Sequence, residues 1–223
     1  MPAKKGRGLL MVYSDVSPEH DAEYNQWYNE EHIPERLSIP GVLSAARYQA
    51  VQGGPKYLAC YELDQPEAYQ SDAWQNWLKN PTEWTKRMSP DVIGKEFIRN
   101  LYRLIYPKDV PEDTAQAGMA PVMLVGRMSV PAELDDQFND AYNNERLPTC
   151  YAVPGYIRGR RFQAVTGDPK YTTVHEMESM ESVESPEWEA WRVAVTPVWS
   201  NTVRPKMTHV EGSPGVYTRI FPA

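Results

Sequence analysis

A chain of 223 residues suits one large domain or two small ones, and half of it is long enough to bury a core of its own. Its 41% hydrophobic and 24% charged residues are ordinary for a globular protein, and a formal net charge of -7 speaks against nucleic acid or an anionic membrane as partner. The apolar run Leu9 to Tyr13 is too short for a signal-peptide core, no stretch approaches a transmembrane span, and Cys60 and Cys150 form no CxxC; a cytoplasmic protein without disulfide framework or thiolate zinc site is expected.

The apolar run from Gly8 to Tyr13 predicts a strand buried on both faces. Ser17-Pro18-Glu19 reads as a helix start, and the helix is expected to reach about Ile33, where Pro34 stops or kinks it. Tyr24, Trp27, Tyr28 and Glu31 share one stripe of that helix, which places a carboxylate on an apolar face. After Pro40-Gly41, residues 42–51 and 56–63 form a hairpin around Gly53-Gly54-Pro55. Residues 66–79 read as a helix, 81–88 as a second short one, and 96–106 as a closing strand. Three prolines, acids and small residues between Pro107 and Pro121 read as a linker, and the order then restarts.

Sliding the chain onto itself by 114 residues pairs Asn25 with Asn139, Tyr28 with Tyr142, Asn29 with Asn143, Glu31 with Glu145, Arg47 with Arg161, and Trp74 with Trp188. One fixed offset across so many uncommon residues indicates tandem duplication. The expected organisation is a first repeat over 1–107, a linker over 108–120 and a second repeat over 121–223. Each repeat reads strand, helix, strand, strand, helix, strand, the ferredoxin-like βαββαβ order, whose sheet carries helices on one face and needs a cover on the other. The predicted fold class is therefore α+β.

The run Trp27-Tyr28-Asn29-Glu30-Glu31-His32-Ile33-Pro34-Glu35-Arg36-Leu37, followed by Ile39-Pro40-Gly41-Val42 and Arg47-Tyr48, resembles the signature of EthD-like proteins of the dimeric α+β barrel superfamily. The second half departs from it, with Arg146 in place of the histidine and Cys150 in place of Arg36. The resemblance implies two antiparallel sheets packed face to face as a barrel, here within one chain, as a monomeric pseudo-dimer or a homodimer. It implies activities ranging over cofactor-free monooxygenases, isomerases, cyclases and lyase-like enzymes, with haem proteins among the relatives.

His32 is the leading candidate for general acid or base work, because a helix C-terminus and the adjacent Glu31 would both raise its proton affinity. It could equally bond the frayed helix end. Glu31 could orient it or satisfy backbone groups at the Pro-Gly turn, and Asn29 could hold an enolate or carbonyl oxygen or serve as a cap. Fourteen tyrosines and seven tryptophans suit a pocket for a flat, partly polar ligand, and equally a core. The substrate-binding candidates are Trp27, Tyr28, Arg47, Tyr48, Tyr57 and Tyr61, with Tyr142, Arg146 and His175 from the second copy. Arg47 could bind a ligand carboxylate or phenolate, or pair with Glu31 as the plainer account. The four histidines form no HxH or HxxxH pair, so no metal is expected, and no flanking pattern marks a haem ligand. The sequence thus predicts a cofactor-free enzyme acting by proton transfer on a small aromatic or carbonyl-bearing molecule, with a non-catalytic binding protein or a haem-binding barrel as the alternative.

Overall fold

The computed structural model describes residues 2–222. The first repeat runs β1 (Gly8–Val16), α1 (Asp21–Trp27), a π-helical turn (Tyr28–His32), α2 (Ile33–Leu37), β2 (Val42–Gln52) and β3 (Tyr57–Leu63). It continues through α3 (Asp72–Lys79), α4 (Glu83–Arg87) and α5 (Pro90–Ile93) to β4 (Gly94–Tyr106). After α6 (Glu112–Gln116) the second repeat contains β5 (Val122–Ser129), α7 (Asp135–Ala141), a π turn (Tyr142–Arg146), α8 (Leu147–Cys150), β6 (Tyr156–Thr166) and β7 (Tyr171–Met177). It closes with α9 (Met180–Val183), α10 (Pro186–Val193), a third π turn (Trp199–Val203), β8 (Thr208–His209) and β9 (Gly215–Phe221).

Within the first repeat the strands lie in the order β4-β1-β3-β2, and within the second β9-β5-β7-β6, the ferredoxin-like arrangement twice. The sheets join at two equivalent seams, β2 against β9 and β4 against β6, and all of these pairings are antiparallel. The eight long strands therefore close into a barrel, while β8 merely extends β5.

Strand alternation divides the apolar residues among three cores. On β3, Tyr57, Ala59, Tyr61 and Leu63 face the helices of the first repeat, whereas Leu58 and Cys60 face the barrel interior with Met11, Tyr48, Phe162 and Val174. A third core lies between the second sheet and its own helices. Glu62 on β3 and Glu176 on β7 occupy the same repeat position and are both buried. Arg160 bridges them, with Nη1 and Nη2 on the Glu62 carboxylate at 3.0 and 2.5 Å and Nη2 on Glu176 at 3.1 Å. Lys5 Nζ lies 3.3 Å from Glu176 and 3.8 Å from Glu62.

Three local expectations need correction. The first helix begins at Asp21, after a turn over 17–20, and it does not end at Pro34. A π turn precedes the proline, in which the Ile33 N–H bonds to Tyr28 O, and the helix goes on to Leu37. A proline inside a helix removes one N–H and crowds the carbonyl four residues back, and a wider turn relieves both. The segment 66–79 is also broken, into a 3-10 turn (Pro66–Gln70) and α3, which Ser71 caps by accepting from the Trp74 N–H. The stretch read as a linker is packed: it holds α6, buries Met119 and Ala120, and bonds through Ala115 O to the N–H groups of Lys4 and Lys5. The Pro40-Gly41 turn is as expected; Gly41 has φ +91°, and a Cβ there would meet that of Ala68 at 2.8 Å.

Candidate functional site

Between the outer face of the first sheet and its helices lies a cavity of about 150 Å³. Leu10, Val12, Tyr61 and Phe97 form its floor on the strands; Trp27, Tyr28, His32, Arg36 and Trp74 reach it from the helices, and exposed Arg99 stands at its mouth. Four of the nine first-repeat candidates meet here: His32, Trp27, Tyr28 and Tyr61.

His32 closes the π turn, and its ring lies 4.4 Å from that of Trp27 and 4.9 Å from that of Tyr28. Its Nδ1 is buried and has no hydrogen-bond partner among the described residues. Burial, reinforced by Arg36, Arg99 and Arg47, holds its pKa well below the ordinary histidine value, so the imidazole is neutral at pH 7. This corrects the expectation of a raised pKa. The helix continues past His32, so no carbonyl-rich terminus faces it. The Glu31 carboxylate is engaged elsewhere, accepting from Thr82 Oγ1 at 2.6 Å, Thr85 Oγ1 at 3.2 Å and Trp27 Nε1 at 3.2 Å. Glu31 thereby ties α4 and the Trp27 indole in place.

Asn29 and Arg47 form a clamp behind Tyr28. Arg47 donates to Asn29 Oδ1 at 2.9 Å and to Asn25 Oδ1 at 2.7 Å, with its guanidinium 4.5 Å from the Tyr28 ring centre. Arg47 therefore pairs with two asparagines, not with Glu31 as the sequence favoured. Tyr57 belongs to the same support, its hydroxyl bonding to Asp21 at 3.0 Å and receiving the Asn25 amide at 2.9 Å. Tyr48 points into the barrel and donates to Ala120 O at 2.9 Å, so it does not reach this cavity.

The residues that the sequence reading passed over are Arg36 and Trp74. Arg36 is 6% exposed, Nη1 lacks a hydrogen-bond partner, and it makes no ion pair within 4 Å among the described residues. Its guanidinium lies 5.4 Å from the Trp74 ring centre, and the Trp74 Nε1 is likewise buried and unpartnered. The Tyr61 hydroxyl has no hydrogen-bond partner of good geometry, and burial with Tyr28 nearby pushes its pKa well above the ordinary tyrosine value. The one signal in the sequence was the Arg36 to Cys150 difference between the repeats.

The second repeat has an equivalent cavity of about 170 Å³, lined by Tyr142, Arg146, His175, Trp188, Trp191 and Trp199 among others. Two of its polar side chains, Arg146 and His175, are engaged, while Arg146 Nε, Trp188 Nε1 and Trp199 Nε1 are buried without a partner among the described residues. Arg146, at the position of His32, donates to the carbonyls of Trp191 at 3.0 Å and Ala194 at 3.3 Å. His175, at the position of Tyr61, shares a 3.1 Å hydrogen bond with Tyr156, and burial lowers its pKa to about 3. Cys150 stands where Arg36 would be, its thiol pushed up to about 12 by burial.

A family profile described as a domain of unknown function, DUF4286, matches residues 8–93. No curated protein matches the sequence. Similar solved structures include an anthrone oxidase-like protein, 13% identical over 99% of this chain and 94% of that one, with a TM-score of 0.59. Chlorite dismutase from Candidatus Nitrospira defluvii is 11% identical over 97% and 91%, with a TM-score of 0.59. A heme-binding protein from Thermus thermophilus is 12% identical over 96% and 91%, with a TM-score of 0.56. Likeness at this identity concerns the fold: the chain is a dimeric α+β barrel whose two ferredoxin-like units are joined in one polypeptide.

One of these structures is named heme-binding, which raises the question of whether either cavity could take that group. At about 150 and 170 Å³ both fall below the roughly 300–1,000 Å³ of ordinary cofactor pockets. His175 is flanked by the rings of Trp188 and Trp191 at 5.3 and 5.4 Å and is hydrogen-bonded besides. The residues present do not fit a haem in either cavity. Among the described residues no cluster of three or more His, Cys, Asp or Glu could hold a metal ion.

Proposed function

We propose that the chain is a cofactor-independent enzyme that moves a proton on a small aromatic, carbonyl-bearing or phenol-like compound held in the first cavity. The observation that carries this reading is the buried, unpartnered Nδ1 of a neutral, partly buried His32 in an aromatic box that also presents unpartnered O–H and N–H donors. In the reaction, His32 Nδ1 takes a proton from an acidic carbon or hydroxyl of the substrate, and the electron pair settles on oxygen. Tyr61 Oη and Trp74 Nε1 donate to that oxygen, and Trp27 and Tyr28 pack against the ring. Asn29 and Glu31 act as positioning residues, through Arg47 with Tyr28 and through Trp27 respectively. Return of the proton elsewhere gives isomerisation, loss of a leaving group gives a lyase step, and capture of dioxygen by the carbanion gives monooxygenation. The name of the anthrone oxidase-like structure favours a fused-ring substrate.

We further read the chain as EthD-like and as the product of tandem duplication, acting in the cytoplasm. The repeated clamp, Arg47 on Asn29 and Arg161 on Asn143, supports duplication, and the two free, buried cysteines accord with a reducing compartment. Among the described residues no helix is long and apolar enough to cross a membrane.

The test is hydrogen–deuterium exchange at the acidic methylene of 2-tetralone, a compact bicyclic ketone, followed by NMR in D2O. Wild-type protein should accelerate exchange, and His32→Gln should lose about 10²–10⁴-fold of that acceleration. Equal exchange by both proteins would refute His32 as the base.

A further inference from the structure

We propose that the ligand of the first cavity is a compact aromatic anion, a carboxylate or phenolate, seated on Arg36 and drawn in past Arg99. This rests on the reading above that the first cavity is the working site, and it specifies the charge of what enters.

Arg36 is the basis. A guanidinium stays charged in proteins, and a buried charge is normally paired. Arg36 is 6% exposed, yet among the described residues it has no salt bridge within 4 Å and an Nη1 without a hydrogen bond, while its side chain lines the cavity. A cation–π approach to Trp74 at 5.4 Å and the longer-range attraction of Glu35, with which it makes no salt bridge, are too weak to replace the lost hydration. The cavity walls carry a second cation, Arg99, and no acid: Glu31 is not a lining residue, and its carboxylate is bonded to Thr82 and Thr85. A permanent negative charge on the ligand supplies the missing partner, and the surrounding tryptophans and tyrosines require that it ride on a flat ring.

The second repeat provides an internal contrast. Its one fully enclosed lining cation, Arg146, is 4% exposed and already bonded to the carbonyls of Trp191 and Ala194. Arg36 has no such backbone partners. Arg146 Nε also lacks a partner among the described residues, but its Nη1 is satisfied by those carbonyls, whereas Arg36 Nη1 is not.

Calorimetric titration of the full chain with 2-naphthoate and with its neutral counterpart 2-naphthalenemethanol tests the proposal. The acid should bind at least about tenfold more tightly than the alcohol, the range of a charge-assisted hydrogen bond. Arg36→Met should abolish that preference without weakening the alcohol, and Arg36→Lys should keep part of it. Removing an unpaired buried charge should also raise the Tm of Arg36→Met, which separates loss of binding from loss of fold. Arg99→Gln, at an exposed position, should slow association of the acid and flatten its salt dependence. Equal affinity for the two ligands, no binding of the acid below millimolar concentration, or a preference that survives Arg36→Met would overturn the proposal. The two readings fail separately. Tetralone exchange without a preference for the acid leaves the enzyme and removes the anion; an Arg36-dependent preference without exchange leaves an anion-binding carrier.

Discussion

Burial decides the protonation of His32 more strongly than anything beside it in the sequence. The imidazole, like that of His175, is neutral in the fold but would titrate near 6.5 in the unfolded chain. Below that value the unfolded chain binds protons that the folded chain does not, so stability must fall as pH falls. Denaturant midpoints should therefore drop between pH 7.5 and 5, a window above the range in which the buried Glu62 adds its own loss. His175→Gln should flatten that slope; an unchanged slope would mean that His175 is not buried neutral. Cys60 and Cys150 are buried too, at 2% and 0% exposure with thiols made harder to ionise by burial. Ellman's reagent should label neither in the native protein and both in guanidinium, and fast native labelling would contradict their placement. Trp27 and Tyr28 were legible because the helical stripe marks them, and His32 because it stands beside Glu31 just before the proline. Arg36 was not, since a lone arginine two residues past a proline looks like a solvated charge, and its isolation becomes apparent only when its surroundings are known.

At the scale of the element, the three π turns share a rule. Tyr28–His32, Tyr142–Arg146 and Trp199–Val203 are each followed, one residue on, by a proline: Pro34, Pro148 and Pro205. The sequence reading took Pro34 as a terminus because a proline usually is one. The helix instead widens, and widening carries His32 back onto Trp27 and Tyr28. Strands hold these turns from behind. Arg47 keeps two bonds to Asn25 Oδ1 and Asn29 Oδ1, whereas Arg161 has a single one, to Asn143 Oδ1 at 2.7 Å, with Nε and Nη2 unpartnered and its pKa lowered to about 10 by burial. Asn29→Ala should thus cost about 1.5–3 kcal/mol of stability by chemical denaturation, the range for a bond to a charged donor. Asn143→Ala should cost more, because it leaves Arg161 with no bond; the reverse order would refute the clamp.

For the whole molecule, closure of the barrel leaves no long strand edge exposed among the described residues, and we expect sedimentation as a monomer of 25.5 kDa. A concentration-dependent dimer would show that some other surface self-associates. The barrel's charged interior is its weak point: Arg160→Met leaves two buried carboxylates to Lys5 and Arg158 and should cost about 3–5 kcal/mol. The fold was legible because one offset aligned both copies. The ion cluster was not, because Arg160 and Glu62 are 98 residues apart and fall on strands whose periodicity marks them only as buried.

That cluster also acts as an address label. Ala46 stands in the first repeat where Arg160 stands in the second, although both repeats keep the glutamate, Glu62 or Glu176. Two first repeats would bury two acids with no arginine between them, and two second repeats would force two guanidinium groups into the room of one. If the backbone were cut inside 108–120, fragment 1–107 should seek out 121–223 in preference to its own kind. Mixed equally, the fragments should reassemble as a one-to-one complex, and the loop that joins them supplies proximity while the buried arginine supplies the choice of mate.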